Sequence, residues 1–190
     1  MGRRRTDTRR RILIAARNLY SSHGSEGASL DDVLSATGVT KGAFYHYFKS
    51  KDALCQAVID EAVAAYQEHV TAVISRHPPG EALERILTTL SSPDAAEPAA
   101  CVRLLIRLTL PTQSSPDGVA HRTAEFWRWH ARVIEDLLRV RPGPAAAADP
   151  AAHAELLLRL AVGAAILHGP ASATDTPSAA DLLSRILNAG

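Results

Sequence analysis

Apolar side chains return every three or four positions along most of this chain, the spacing that lines one face of an α-helix. Ile12, Ala15, Ala16, Leu19 and Tyr20 predict a first helix over residues 7–22, ended by His23-Gly24-Ser25. Leu54, Val58, Ala62, Ala65, Tyr66, His69, Val70 and Val73 predict one long amphipathic helix from Lys51 to about Arg76, broken by Pro78-Pro79-Gly80. Further helices are expected over 81–90, 99–110, 119–140 and 150–168, with loops at 91–98 and 111–118 and a linker from Arg141 through an alanine run. A last amphipathic helix would carry Leu182, Leu183, Ile186 and Leu187 after Gly169-Pro170. The expected fold is therefore all-α.

Between the first and the long helix the pattern tightens. Ser29 stands where its hydroxyl can cap a short helix, and Asp32, three positions on, completes a capping box and favours the helix dipole. Leu30, Val33 and Leu34 share one face of that helix, and Thr37-Gly38-Val39 follows, with glycine permitting the unusual backbone of a sharp turn between helices. Thr40 caps the next helix. On a helical wheel Lys41, Gly42, Tyr45 and His46 fall on one half, and Ala43, Phe44, Tyr47 and Phe48 on the other. The first half holds a cation, hydrogen-bonding groups and a glycine that lets backbone approach a large surface, a set suited to a DNA major groove. Lys49-Ser50-Lys51 then puts two ammonium groups beside a helix start where phosphate can bind. The competing reading is a structural hairpin whose charges are merely solvated.

Charge distribution supports the first of these readings. Residues 1–52 hold ten Lys or Arg against five Asp or Glu, net +5, and the rest of the 190-residue chain eleven against fifteen, net −4, so an overall +1 hides a basic end on an acidic body. All three lysines are Lys41, Lys49 and Lys51. Arg3, Arg4 and Arg5 fit either a basic arm along DNA or an untethered tail.

The segment GVTKGAFYHYFKSKDAL, preceded by SLDDVLSAT and by a helix ending Leu19-Tyr20, resembles the DNA-binding domain of the tetracycline-repressor (TetR) family of transcriptional regulators over residues 8–54. The resemblance implies a helix-turn-helix DNA-binding domain at 1–52 and a helical effector-binding and dimerisation domain at 53–190. It implies Thr40, Lys41, Gly42, Tyr45 and His46 as groove-facing, Tyr47 and Lys51 as phosphate contacts, and Ser29 at a helix N-terminus beside the backbone. Tyr47 conflicts with the wheel, and a helix ending near His46 would free its hydroxyl. It also implies a homodimer on a palindromic double-stranded operator, released by a small effector as the long helix tilts. Residues 55–190 carry no comparable signature.

For that body, the residues give weaker expectations. The few aromatic side chains point to a mainly apolar ligand, with Tyr66, Arg103, Arg107, Phe126, Trp129 and His130 as candidate effector contacts, each equally readable as core or solvated surface. The 150–168 helix is apolar on nearly all sides and must be covered all round. Leu156, Leu160, Ala164 and Leu167, with Leu183, Ile186 and Leu187, are the candidate dimer interface, unless these helices only close a monomer's core. Cys55 and Cys101 are too few for a disulfide scaffold or four-cysteine zinc site, and stand as spectator thiols or redox sensors. No cofactor, metal or catalytic role is expected, Asp149 and His153 being the sole suggestive metal-type pair. Without a secretory leader or a run of about 18 apolar residues, the chain is expected in the cytoplasm, off the membrane. An architectural DNA-binding protein without a ligand is the alternative, and would have no cavity in its body.

Overall fold

In a computed structural model the described residues are 2–92, 97–109, 117–140 and 149–167, without the side chains of 2–6 and 117. Among them lie eight helices and no strand: α1 (Gly2–Gly27), α2 (Leu30–Thr37), α3 (Lys41–Tyr47), α4 (Lys51–Arg76), α5 (Pro79–Ser91), α6 (Ala99–Thr109), α7 (Asp117–Val140) and α8 (Pro150–Leu167). The all-α fold with an N-terminal helix-turn-helix is thus present, and α4 has the bounds that its apolar repeat predicts. The side chains of Arg3, Arg4 and Arg5, most of the predicted loops, and the predicted helix with Leu182, Leu183, Ile186 and Leu187 lie outside the described residues.

Two boundaries differ for identifiable reasons. α1 begins at Gly2 and extends to Gly27, but Gly24 at φ 74° and ψ 172° interrupts its helical backbone where the sequence placed an end. Pro78-Pro79-Gly80 starts a helix as well as ending one, because Pro79 sits in the first turn of α5, where the missing N–H has no intrahelical partner to lose.

The chain divides into two compact units, Met1–Ala64 with Arg103–Glu125, and Ala65–Val102 with Phe126–Gly190, so that α4, α6 and α7 each contribute to both. In the first unit α1 packs on α2. Ile12, Leu13, Ala16 and Tyr20 of α1 join Val33, Phe44, Phe48, Leu54, Val58 and Ile59 in a buried core. Phe44 is 0% exposed, with its ring centroid 5.8 Å from that of Phe48. The Arg9 guanidinium lies 5.3 Å over the Phe48 ring and 3.6 Å from the Glu61 carboxylate, while Arg11 donates to the Thr37 carbonyl at the end of α2.

In the second unit α5 lays Ala82, Leu83, Ile86, Leu87 and Leu90 against α8, which buries Ala154, Leu157, Leu158 and Ala161. A separate aromatic nest joins α4 to α7. Tyr66 and His130 stand 5.3 Å apart between ring centroids, with Phe126 at 5.8 Å from Tyr66 and 5.4 Å from His130, and Trp129 at 5.3 Å from His130. Burial pushes the Tyr66 phenol well above its ordinary value and the His130 imidazole down to about 3.

Truncating Phe44 to Ala should cost about 3–5 kcal/mol in urea unfolding followed by circular dichroism, against about 1 kcal/mol for Ser29→Ala. For His130, the unfolded chain protonates at about 6.5 and the folded chain only near 3, so the unfolded state binds the extra proton between those values. Stability should therefore fall on acidification from about pH 6.5 by up to about 1.4 kcal/mol per pH unit on this group's account, and H130F should remove that slope. An unchanged slope would place the titration elsewhere.

Candidate nucleic-acid interface

The pair α2 and α3 is built from its caps. Ser29 accepts from the Asp32 N–H at 3.1 Å, and its own N–H donates to Asp32 Oδ2 at 2.7 Å, closing the capping box. The Ser29 hydroxyl also donates to the same carboxylate at 2.6 Å. These two bonds from Ser29 hold the Asp32 carboxyl below its ordinary range. At the other end of α2, Gly38 takes the left-handed conformation, φ 65°, and its N–H donates to the Leu34 carbonyl at 2.8 Å. The buried Thr37 hydroxyl donates to the Val33 carbonyl at 2.8 Å. Thr40 then accepts from the Ala43 N–H at 3.3 Å, starting α3.

Seven residues of α3 are divided by burial. Phe44 is inside, and Lys41, Gly42, Tyr45 and His46 are exposed, Tyr45 by 48%. A Cβ built on Gly42 meets no atom within 4 Å among the described residues, so no packing there requires glycine. Ala43, assigned to the packed half by the wheel, is exposed, because so short a helix has a single buried anchor. Phe48 packs from beyond the helix, at an extended φ of −134°. Tyr47 is half-buried at the last position of α3, with the His46 ring 5.3 Å away edge-on. Ser50 accepts from the Ala53 N–H at 3.0 Å at the start of α4, with Lys49 exposed on one side and Lys51 half-exposed on the other.

Sequence reasoning missed Arg9, Arg10 and Arg11. Arg10 and Arg11 line a surface groove of about 620 Å³ with Asp7, Thr8 and Ile14, and Arg9 and Arg11 hold the ends of α3 and α2 as described above. Their consecutive positions were a visible signal, but their partners lie 26 and more positions away, beyond the reach of helical periodicity.

The effector candidates fall into two groups. Tyr66, Phe126, Trp129 and His130 come together in the aromatic nest. Arg103 and Arg107 belong to the first unit, where Arg107 donates to the Ser21 carbonyl of α1 at 2.8 Å. His69, which was not singled out, has its ring 6.0 Å from that of Tyr66 and lines a cleft of about 500 Å³ with Val73, Glu81, Glu84, Arg85, Thr88 and Thr89. Of the candidate dimer residues, Leu156, Leu160 and Leu167 are 53%, 43% and 81% exposed in the single chain, Ala164 is half-buried, and Leu183, Ile186 and Leu187 lie outside the described residues.

Both cysteines are buried. The Cys55 thiol is pushed up to about 11, by burial first and by Asp52 second, and Cys101 donates to Glu97 at 2.8 Å. Asp149 serves as a cap for α8, accepting from the Ala152 N–H at 3.1 Å, and among the described residues no three His, Cys, Asp or Glu side chains gather as metal ligands. α8 is long and apolar enough by composition to cross a membrane, with a mean hydropathy of 1.4 over 18 residues, although it is not a continuous apolar run. Within it Glu155 and Arg159 pair at 2.6 Å.

Residues 12–58 match the family model described as bacterial regulatory proteins, tetR family. The HTH-type transcriptional repressor NemR of Escherichia coli (strain K12) is 37% identical over 68 residues, 36% of this chain and 34% of NemR. The HTH-type transcriptional repressor AcnR of Corynebacterium glutamicum is 29% identical over 140 residues, 74% of this chain and 66% of AcnR. The chain thus spans about a third of NemR's length and just under two thirds of AcnR's. The crystal structure of AibR in complex with isovaleryl coenzyme A and operator DNA shares the fold, with a TM-score of 0.71 at 19% identity over 94% of this chain and 97% of AibR. Capped helix pair and family model agree over residues 12–58, which match the tetR family of bacterial regulatory proteins, and the whole chain shares the fold of AibR.

Proposed function

We propose that the protein is a ligand-responsive transcriptional repressor, acting in the cytoplasm as a homodimer on a palindromic operator and leaving it when a small, mainly apolar molecule binds the second unit. The observation that carries the reading is the exposed half of α3. Lys41, Gly42, Tyr45 and His46 share a surface whose one glycine answers no packing need within the chain, so the room it leaves is for something outside. A major groove admits such a helix, with Thr40 and the start of α3 nearest the bases and Tyr47 and Lys51 towards phosphate. Ser29, with its hydroxyl engaged in the capping box, offers the N-terminus of α2 to the backbone.

Several further facts support the rest. NemR and AcnR are named as repressors, and AibR was solved with both an acyl coenzyme A and operator DNA. Leu156, Leu160, Ile166 and Leu167 leave α8 with an apolar face that a second copy would cover. The continuous α4 belongs to both units, so a ligand favouring one setting of that helix biases the placement of α3.

Duplexes selected from a random library test this directly. Lys51→Ala should weaken selected and random duplexes alike and lower the salt slope by about 1, whereas Tyr45→Ala and His46→Ala should change preference among sequences. Equal losses on both kinds of duplex for all three would contradict the assigned roles. Sedimentation of wild type at micromolar concentration should show a dimer, and L156E combined with L160E should give monomers that bind half-sites weakly; a wild-type monomer would overturn the dimer.

A further inference from the structure

Among the described residues, four buried polar atoms in the second unit have no hydrogen-bond partner: the Tyr66 hydroxyl, both ring nitrogens of His130, and Nε2 of His69. Tyr66 and His130 are 0% exposed, and an unmet buried donor or acceptor costs about 1–3 kcal/mol, so three such atoms on two touching rings are a concentrated strain on the fold. Their neighbours are hydrocarbon and π faces: Phe126, Trp129 at 5.3 Å from His130, and Trp127 at 6.5 Å. Burial keeps the imidazole neutral and the phenol protonated at ordinary pH. The pair therefore presents one O–H donor, one N–H donor and one nitrogen acceptor, without charge.

His69 extends this group outward. Its ring is 6.0 Å from Tyr66, and it lines the cleft of about 500 Å³ between α4 and α5, a size ordinary for small-molecule sites. The charges at that cleft are partly self-paired, with Glu81 2.9 Å from both Arg85 and His77.

We propose that Tyr66, His69 and His130 recognise the uncharged hydrogen-bonding head of the effector, a carbonyl, amide or hydroxyl on an apolar body, and select against carboxylates and ammonium ions. The proposal rests on the ligand-responsive reading above and narrows its effector class. Selection follows from desolvation at Tyr66 and His130: a carboxylate or an ammonium ion entering there exchanges water for aromatic faces and neutral ring atoms, while in the cleft beside His69 Glu81 is already engaged by Arg85 and His77. A neutral head loses less water and pairs atoms that otherwise stay unpaired.

Trp127 and Trp129 are the protein's two tryptophans and flank His130, so their emission reports occupancy of the nest. The full chain is titrated with 2-nonanone, nonanoate and nonylamine at neutral pH, and operator retention on a selected duplex is followed in parallel. The ketone should bind at least about tenfold more tightly than either charged probe. Tyr66→Phe and His130→Phe should each reduce that advantage about three- to tenfold, while raising or preserving the unfolding midpoint, since each removes an unpartnered polar group. Equal or tighter binding of nonanoate or nonylamine, an advantage that survives both substitutions, or no response to any probe would overturn the assignment. Ketone binding that leaves the operator occupied would count against ligand release and leave the nest's selectivity standing.

Discussion

Burial of Phe44 is the contact on which the exposed face of α3 depends. A seven-residue helix has no stability of its own in water, because nucleation consumes most of what so few hydrogen bonds return. α3 exists because Phe44 is fully buried beside the Phe48 ring, Thr40 and the extended Phe48 close its two ends, and Gly38 turns the chain out of α2. The same contact fixes its rotation. With Phe44 inside, Lys41, Gly42, Tyr45 and His46 have no choice but to face out.

The two units solve opposite electrostatic problems. Around α3 the cations stay in water, where a polyanion can exchange its counterions against them. Arg9 and Arg11 are exceptions that spend their charge inward, one on the Phe48 ring and Glu61, the other on the α2 carbonyl end. In the second unit burial strips charge away, leaving His130 neutral and Tyr66 protonated among π faces. α4 contributes to both units as one unbroken helix.

What could be read from sequence was local in origin. Ser29 with Asp32, Gly38, and Thr40 are decided by atoms within four positions, and each takes the role its chemistry dictated. The apolar repeat of α4 likewise survives, since a helix of 26 residues carries many turns of evidence. Ala43 was misplaced because a wheel assumes a helix long enough to have two sides. The inward bonds of Arg11 and Arg107, to Thr37 and Ser21, span the fold and leave no periodic trace. His69 was legible only as one more residue on the α4 stripe, three positions from Tyr66; the cleft it lines with α5 leaves no trace in that spacing.

Methylation interference on a selected duplex addresses the central claim most directly, since a methyl on guanine N7 blocks the major groove and leaves the phosphates and minor groove open. Two symmetric clusters of interfering guanines, their centres separated by about one helical turn or a multiple of it, are the predicted outcome. A lone asymmetric cluster, or binding indifferent to N7 methylation, would contradict a pair of α3 helices seated against base edges.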